Sequence, residues 1–173
     1  MGNNTSETTG FNFQHFVTQV FKNCEADKSA ASKYRRCNIQ RTEHYAWPLL
    51  SSHGVKLTNP VQLSIAKLIA SSIAYESGSQ NGHLSLGRAL KELNQEIQSA
   101  ETRLLLLIGC DSSLELCKML PSVIRLLQSK GIRIDYVRLC MDLFFYDKSP
   151  SSIRTRWAED FYSYSSSDKE LSK

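Results

Sequence analysis

Basic side chains form three groups along this sequence and are its best candidates for a chemical role. The first group, from Lys28 to Arg41, contains five cations and no acidic residue. The second group is Arg88 with Arg103, and the third is Lys118, Arg125, Lys130, Arg133 and Arg138, followed by Arg154 and Arg156. Guanidinium groups bind phosphate oxygens, so a series of them can hold nucleic acid by its backbone without reading its sequence. For the first group, an ordinary solvated surface is an equally good interpretation.

Residues arranged for catalysis or metal binding are missing from the sequence. The four histidines, His15, His44, His53 and His83, are scattered, and none has the HExxH spacing of a zinc site or lies beside a nucleophile. No phosphate-binding GxxxxGK[ST] loop and no C-x-x-C pair occurs. We therefore expect a protein that is not an enzyme and that holds no cofactor and no metal.

The composition is typical of a globular protein with a mild positive charge. The 173 residues are 41% hydrophobic and 22% charged, and the net charge is +4. No apolar run is long enough to span a membrane, and the first ten residues do not resemble a secretory signal. Five cysteines, an odd number within apolar segments, favour buried reduced thiols. We expect a cytoplasmic protein that has no contact with a membrane.

Apolar residues recur at helical spacing in most of the chain, and no segment is a convincing strand. Several helix starts are marked by a capping residue, and at Asn59 the cap is followed by proline. The predicted helices begin at or near Phe13, Tyr45, Asn59, Ser85, Ser99, Ser112, Asp135 and Ser149. This pattern predicts an all-α fold with seven to eight helices and no sheet.

The helices are expected to form two small helical-bundle lobes. The N-terminal lobe would cover residues 11–98 and the C-terminal lobe residues 99–164, with a disordered N-terminus at 1–10 and a disordered tail at 165–173. The second lobe would begin with a fully buried helix, because Leu104 to Ile108 are five apolar residues in a row.

A glycine near the start of the helix after Ser85 needs an explanation. Ser85 fits the N-cap position, but Gly87 costs a helix about 1 kcal/mol relative to alanine. The close approach of another backbone would account for this glycine. That backbone could belong to a neighbouring helix, which is the commoner case, or to a ligand bound beside Arg88.

Several short segments together resemble one known family. They occur in the family's order, and they are Tyr34–Arg36 (YRR), Leu84–Leu90 (LSLGRAL), Thr102–Leu107 (TRLLLL), Ile134–Tyr136 (IDY) with Asp142–Leu143 (DL), and Arg154–Tyr162 (RTRWAEDFY). Each segment alone is a weak signal. As a set they resemble the CasB family, the small subunit of the type I-E CRISPR surveillance complex, Cascade.

The resemblance implies an all-helical, two-lobed fold without catalytic activity. The implied partners are the hexameric backbone subunit, the large PAM-reading subunit, the CRISPR guide RNA, the target DNA and a second copy of the chain. Basic faces of the two copies would support the guide-paired target strand and the displaced non-target strand. Such contacts would stabilise the R-loop in antiviral defence, while base pairing reads the sequence.

The resemblance also ranks the arginines as nucleic-acid-binding residues. The first rank is Arg35, Arg36, Arg88 and Arg103, and the second is Arg125, Arg133, Arg138 and Arg154. All of these cations are expected to form one continuous track for a sugar–phosphate backbone. The aromatic residues Tyr136, Trp157 and Phe161 are expected in the core, because their spacing matches the apolar face.

One departure from the family pattern lies at Gly109-Cys110-Asp111, where many relatives carry an arginine before the aspartate. One family contact would therefore be missing. Lys130, in the turn Ser129-Lys130-Gly131, is the expected substitute cation.

Two other functions stay open from the residues alone. The basic faces could meet acidic partners in an all-helical protein–protein scaffold, or the chain could be a sequence-specific DNA-binding regulator. No clear helix-turn-helix recognition helix is present, which favours a subunit that recognises shape and charge.

Overall fold

The structure is a computed structural model that describes residues 10–76 and 80–163. Within these ranges it contains nine α-helices and a 3-10 turn at Glu43–Tyr45. The helices are α1 (Phe13–Ala26), α2 (Lys28–Arg35), α3 (Trp47–Ser52), α4 (Pro60–Ala74), α5 (Leu86–Glu96), α6 (Ala100–Ile108), α7 (Ser113–Ser129), α8 (Tyr136–Tyr146) and α9 (Pro150–Tyr162). The described residues contain no strand, and one isolated parallel bridge joins Leu84 to Ile134. The predicted all-α fold is confirmed.

One helix more than the predicted seven to eight is present, because the basic stretch that begins at Lys28 is itself helical. The side chain of Asp27 accepts a hydrogen bond from the Ser29 N–H at 2.7 Å and begins α2. Ala30, Ala31 and Tyr34 are buried, and Tyr34 follows the two alanines by four and three positions, so they give α2 one apolar face. That face packs against α1 and α4.

The disorder predicted for residues 1–10 and 165–173 falls, apart from Gly10, on residues outside the described ranges.

Local capping signals in the sequence set most helix starts as predicted. The side chains of Asn59, Ser85, Ser112 and Asp135 each accept a hydrogen bond from a backbone N–H of the first turn that follows them. At the other end of α7, Gly131 has a φ of +71°, a left-handed conformation that favours glycine after a helix.

Helix α4 lies at the centre of the molecule and contacts α1, α2, α7 and α8. Its buried side chains, which include Ile65, Leu68 and Ile69, belong to one continuous apolar core shared by both halves of the chain. Tyr136, Trp157 and Phe161 also lie in this core, as predicted, and are at most 6% exposed.

The glycine in the LSLGRAL segment marks a close helix–helix contact. A Cβ atom added to Gly87 would lie only 2.3 Å from the carbonyl oxygen of Trp157 and 2.7 Å from the Cβ of Asp160. Helix α9 therefore provides the backbone that approaches α5. The explanation by helix packing is confirmed.

Helix α6 exists as predicted, but the prediction that it is fully buried is wrong. Leu104 and Leu107 are buried, whereas Leu105 and Leu106 are 51% and 54% exposed. Five consecutive helical residues span more than one full turn, so they cannot all face the core unless neighbours surround the helix. The neighbours of α6 are α5, α7 and α9, and they leave one side of it open.

The division into lobes at residues 98 and 99 stays a prediction. Helix α5 packs most extensively against α9 and also contacts α6. Those contacts favour grouping α5 with the helices that follow it, which would move the divide to the segment before Leu86.

Candidate nucleic-acid interface

Two arginines from different halves of the chain meet at one exposed tyrosine. Arg35 is the last residue of α2, Arg125 lies in α7, and Tyr75 is the C-cap of α4. The guanidinium carbons of Arg35 and Arg125 lie 5.7 Å and 5.1 Å from the centre of the Tyr75 ring. Arg35 is held in place because its Nε donates a hydrogen bond to the Ala74 carbonyl oxygen at 2.8 Å. We call these three residues the Tyr75 site.

The Tyr75 site surrounds a small open cavity of about 110 Å³. Its lining includes the three residues of the site together with Asn38, Pro121 and Gln128, and no acidic side chain. Neither arginine forms an ion pair with a carboxylate in the described part of the chain. Both positive charges are therefore available to an anion from outside.

Arg103 lies on the other side of α7 from the Tyr75 site. Its Nη1 donates hydrogen bonds to the Ser99 side chain at 2.6 Å and to the Ser99 carbonyl oxygen at 3.2 Å, and it has no ion pair among the described residues. It lines a wider depression of about 360 Å³ with Leu106 and Ser122. Pro121 lines the first cavity and Ser122 the second, and successive residues of a helix point in different directions, so the two cavities lie on different sides of α7.

A second pair of predicted arginines shares a carboxylate. Asp160 lies 3.7 Å from Arg88 and 3.5 Å from Arg138, so it joins α5, α8 and α9. The Asp160 side chain is only 14% exposed, whereas those of Arg88 and Arg138 are 65% and 41% exposed. One negative charge thus offsets part of the positive charge at this position.

The remaining predicted arginines bond mainly to groups of the protein itself. Arg36 is exposed and donates to the Ser32 hydroxyl at 3.0 Å. Arg133 donates to the carbonyl oxygen of Gln80, and its buried Nε has no hydrogen-bond partner among the described residues.

Arg154 lies near the junction of α6 and α7. It donates to the Tyr146 hydroxyl at 2.8 Å and to the Cys110 carbonyl oxygen, and it lies 3.6 Å from Asp111. The hydrogen bond from Arg154 to the Tyr146 hydroxyl raises the pKa of Arg154 above its usual value, so this guanidinium stays charged.

The expected substitution by Lys130 is wrong. Lys130 follows the last turn of α7 and pairs with Glu96 at 3.0 Å, whereas Asp111 precedes the first turn. The two ends of this 17-residue helix are separated by roughly 25 Å. The cation that reaches Cys110 and Asp111 is Arg154.

The expected single track is thus divided by the described contacts. Arg35, Arg103 and Arg125 lie around α7 with free charges, whereas Arg88 and Arg138 share Asp160. No hydrogen bond or ion pair among the described residues links these two groups.

Sequence reasoning missed Tyr75 altogether. Tyr75 falls seven positions after Leu68, so a helical wheel places it on the buried stripe of α4. The helix ends at Ala74, and Tyr75 is 48% exposed. The available signal was the position of this tyrosine, between the end of an apolar run and a loop rich in serine and glycine.

Histidines and cysteines do not form a site in the described residues. No group of three or more histidine, cysteine, aspartate or glutamate side chains is arranged to hold a metal there. All five cysteines are free, and burial raises the pKa of Cys24 to about 11 and that of Cys37 and Cys117 to about 12. Among the described helices, none has the length and apolar character needed to cross a membrane.

Comparison with known proteins identifies the fold and the family. The family model for CRISPR-associated protein Cse2 matches residues 30–162. A Cse2-family protein from Thermus thermophilus has the same fold, with a TM-score of 0.70 at 23% identity over 89% of this chain and 99% of that one. A chain of a CRISPR RNA-guided surveillance complex gives 0.73 at 21% identity, over 87% of this chain and 92% of that one. CasB from M. ruber gives 0.60 at 20% identity, over 91% and 98% of the two chains.

No curated protein sequence matches the chain. At these identities the structural matches show a shared fold, and the family assignment depends on the sequence match. That match covers well over half of the chain and confirms the resemblance carried by its short segments. The chain belongs to the Cse2 family of CRISPR-associated proteins, of which CasB is a member.

Proposed function

We propose that this chain is a non-catalytic small subunit of the type I-E CRISPR surveillance complex, Cascade, and that it holds nucleic acid by its sugar–phosphate backbone. Membership of the Cse2 family supports this role, as does the fold shared with a chain of an RNA-guided surveillance complex. The observation that carries the binding part of the proposal is the group Arg35, Arg103 and Arg125. Three guanidinium groups without an acidic partner lie around one helix.

These arginines act by charge and shape. Phosphate contacts release condensed counterions and position a strand without identifying its bases. Base pairing between guide RNA and target DNA reads the sequence, and strand exchange is nearly balanced in free energy. A few phosphate contacts from this subunit therefore favour the open R-loop, with target and displaced strands as ligands. Its protein partners are the other Cascade subunits, and a second copy of the chain.

The eight predicted arginines contribute unequally in this proposal. Arg35, Arg103 and Arg125 provide the main contacts, with Arg36 next to Arg35 in sequence. Arg88 and Arg138 contribute less, because Asp160 offsets part of their charge. For Arg133 and Arg154, bonds to backbone carbonyl oxygens reduce what remains for a phosphate.

The test is the salt dependence of DNA binding by the assembled complex carrying Arg35→Gln, Arg103→Gln and Arg125→Gln. Each lost phosphate contact lowers the slope of log affinity against log salt by about 0.7 to 0.9, so the slope should fall by about 2 to 3. Displaced-strand protection from nuclease should weaken in parallel. The matched control replaces three exposed lysines outside the site, Lys22, Lys56 and Lys148, by glutamine and should leave the slope unchanged.

An unchanged slope in the triple variant would contradict the proposed contacts. A protein–protein scaffold would show no effect of the arginines on DNA binding at any salt concentration. A sequence-specific regulator would discriminate its site from scrambled DNA by about 10³-fold or more.

Exposed apolar side chains support the proposed contacts with other Cascade subunits. Ile39, Tyr45 and Trp47 are 53%, 54% and 37% exposed; the first two lie between α2 and α3, and Trp47 is the first residue of α3. Exposed apolar residues that cluster mark surfaces that bind other proteins.

A further inference from the structure

Tyr75 differs from the other exposed aromatic residues in what surrounds it. In the described part of the chain, Tyr45 and Trp47 contact the His44 ring, and Tyr162 packs on Phe161 and donates to Glu101. Tyr75 instead has a guanidinium group near its ring from each of two helices, and no aromatic neighbour. Its side chain is not part of the core, and no polar partner covers it among the described residues.

The fold alone does not explain this arrangement. Two positive charges beside one ring repel each other, and the cavity that Arg35 and Arg125 share has no acidic side chain in its lining. Arg35 also lines a second cavity with Glu25 and Glu76, which offset part of its charge from outside the shared cavity. An anionic ligand would remove that repulsion. Both guanidinium carbons lie over the Tyr75 ring, within 5.7 Å of its centre, and both side chains line the same cavity, so a phosphate in that cavity lies next to both arginines.

The Tyr75 ring indicates which group the ligand carries in addition to a phosphate. Aromatic side chains bind nucleic acid by stacking on the flat faces of bases, and arginines add cation–π contacts to the same stack. In a duplex those faces are already covered by neighbouring base pairs. An unpaired nucleotide has both a free base face and a phosphate, and so fits a ring flanked by two cations.

We propose that the Tyr75 site binds one unpaired nucleotide of a single strand, with its base on the Tyr75 ring and its phosphate between Arg35 and Arg125. This inference rests on the proposed nucleic-acid-binding function and adds a preference to it. The arginines around α7 serve any sugar–phosphate backbone, whereas Tyr75 distinguishes single strands from duplexes. Tyr75 is then a positioning residue for the unpaired strand, either DNA or RNA.

The experiment measures binding of the full chain at about 20 mM salt, where phosphate contacts are strongest. The ligands are a thymidine oligonucleotide, an abasic strand of the same length, a uridine oligonucleotide and a DNA duplex. Tyr75→Leu should weaken binding of the thymidine strand by about 5- to 150-fold, the loss of one stacked base. Its affinity for the abasic strand and the duplex should be unchanged.

Two further variants separate stacking from charge. Tyr75→Phe keeps the ring and should bind the thymidine strand like the unaltered protein. Arg35→Gln with Arg125→Gln should weaken binding of all four ligands, the abasic strand included. Since Tyr75 lies outside the core, thermal unfolding of Tyr75→Leu should match that of the unaltered protein. A larger loss for the thymidine than for the uridine strand would identify DNA as the ligand, and the reverse would identify RNA.

The outcomes separate the proposed stacking site at Tyr75 from the proposed binding of the nucleic-acid backbone. If Tyr75→Leu binds the thymidine strand normally while the double arginine variant binds poorly, the stacking site is overturned and backbone binding stands. If Tyr75→Leu weakens the abasic strand and the duplex equally, the ring has no role toward bases and the inference is also overturned. If no ligand binds the chain at this salt concentration, the stacking site is overturned, while backbone binding within the assembled complex is decided separately by the salt slope of the triple arginine variant.

Discussion

At the scale of single residues, the arginines of this chain differ in how many of their donors are already used. Arg154 is bonded to a hydroxyl, a backbone carbonyl and a carboxylate, and its role in holding the α6–α7 junction follows from these contacts. Arg125 contacts the Tyr75 ring and forms no hydrogen bond or ion pair through its side chain among the described residues. An arginine therefore stabilises the fold at position 154, whereas the arginine at position 125 is available for a ligand.

Asp160 decides how much charge Arg88 and Arg138 can offer. Replacing Asp160 by asparagine removes the negative charge and leaves a side chain of the same size between the two arginines. If both contact phosphates in the complex, DNA affinity should increase and the salt slope should steepen by about 1 to 2. Titrations of the assembled complex with DNA at several salt concentrations measure this change.

The control for that experiment is Glu92→Gln, an exposed residue of α5 that also loses one negative charge. It should change the slope little, because no predicted arginine is paired with it. Equal slopes for the Asp160 variant and the unaltered protein would show that Arg88 and Arg138 do not contact the nucleic acid.

At the scale of elements, the contact between α5 and α9 depends on the absence of one side chain. Gly87 leaves no room for a Cβ, since the Trp157 carbonyl oxygen would be 2.3 Å away. Gly87→Ala must therefore push the two helices apart. The predicted binding residue Arg88 on α5 and its ion-pair partner Asp160 on α9 lie next to the contact, so this spacing also sets the distance between them.

We expect Gly87→Ala to lower the free energy of unfolding by about 3 kcal/mol, at the upper end of overpacking effects. Urea unfolding followed by circular dichroism measures it. Gly131→Ala is the matched control, because a Cβ there meets no atom and its only cost, about 1 kcal/mol, is the left-handed backbone. A smaller loss for Gly87→Ala than for Gly131→Ala would contradict the close packing of α5 on α9.

At the scale of the whole molecule, the Tyr75 site exists only while helices from both halves of the chain stay packed together. Gln128 of α7 contributes to this packing, because its Nε2 donates to the Ser72 carbonyl oxygen at 2.8 Å and to the Tyr136 hydroxyl at 2.9 Å. The apolar core is continuous across the same region. A rotation between the halves would therefore separate Arg35 from Arg125.

A buried carboxylate makes the stability of the whole chain depend on pH. Asp142 accepts a hydrogen bond from the Trp157 Nε1–H at 2.7 Å and pairs with Arg156, yet burial dominates and raises the pKa of Asp142 above its ordinary value of 3.8. At a pH just above 3.8, the native state therefore binds more protons than the unfolded state. The contribution of Asp142 to stability is full below that pH and decreases as pH rises through the raised pKa.

Asp142→Asn keeps an acceptor for Trp157 and removes the titration. The free energy of unfolding of the unaltered protein, minus that of the variant, should decrease between about pH 4 and pH 7. Urea unfolding of both proteins across this range measures the difference. An increase with pH would mean that Arg156 outweighs burial and lowers the pKa of Asp142.

Much of the fold and part of the site could be predicted from the residues alone. Caps such as Ser85 and Asp135 act on their own next turn, so their effect is local and visible in the sequence. Gly87 indicated a close backbone contact because glycine is unfavourable in a helix unless another chain segment needs the space of its missing side chain. The burial of α6 could not be predicted, because a run of leucines does not reveal how many neighbours surround it.

The sequence by itself determined the helical class, the helix starts, the family and the residues that carry positive charge. Each of these depends on residue type and short-range spacing. Only the tertiary structure decided which charges stay free: it placed Asp160 between Arg88 and Arg138 and brought Arg35 and Arg125 to Tyr75. Whether a guanidinium group meets a carboxylate, a carbonyl oxygen or solvent depends on residues distant in the chain, and their positions are fixed only when the helices pack.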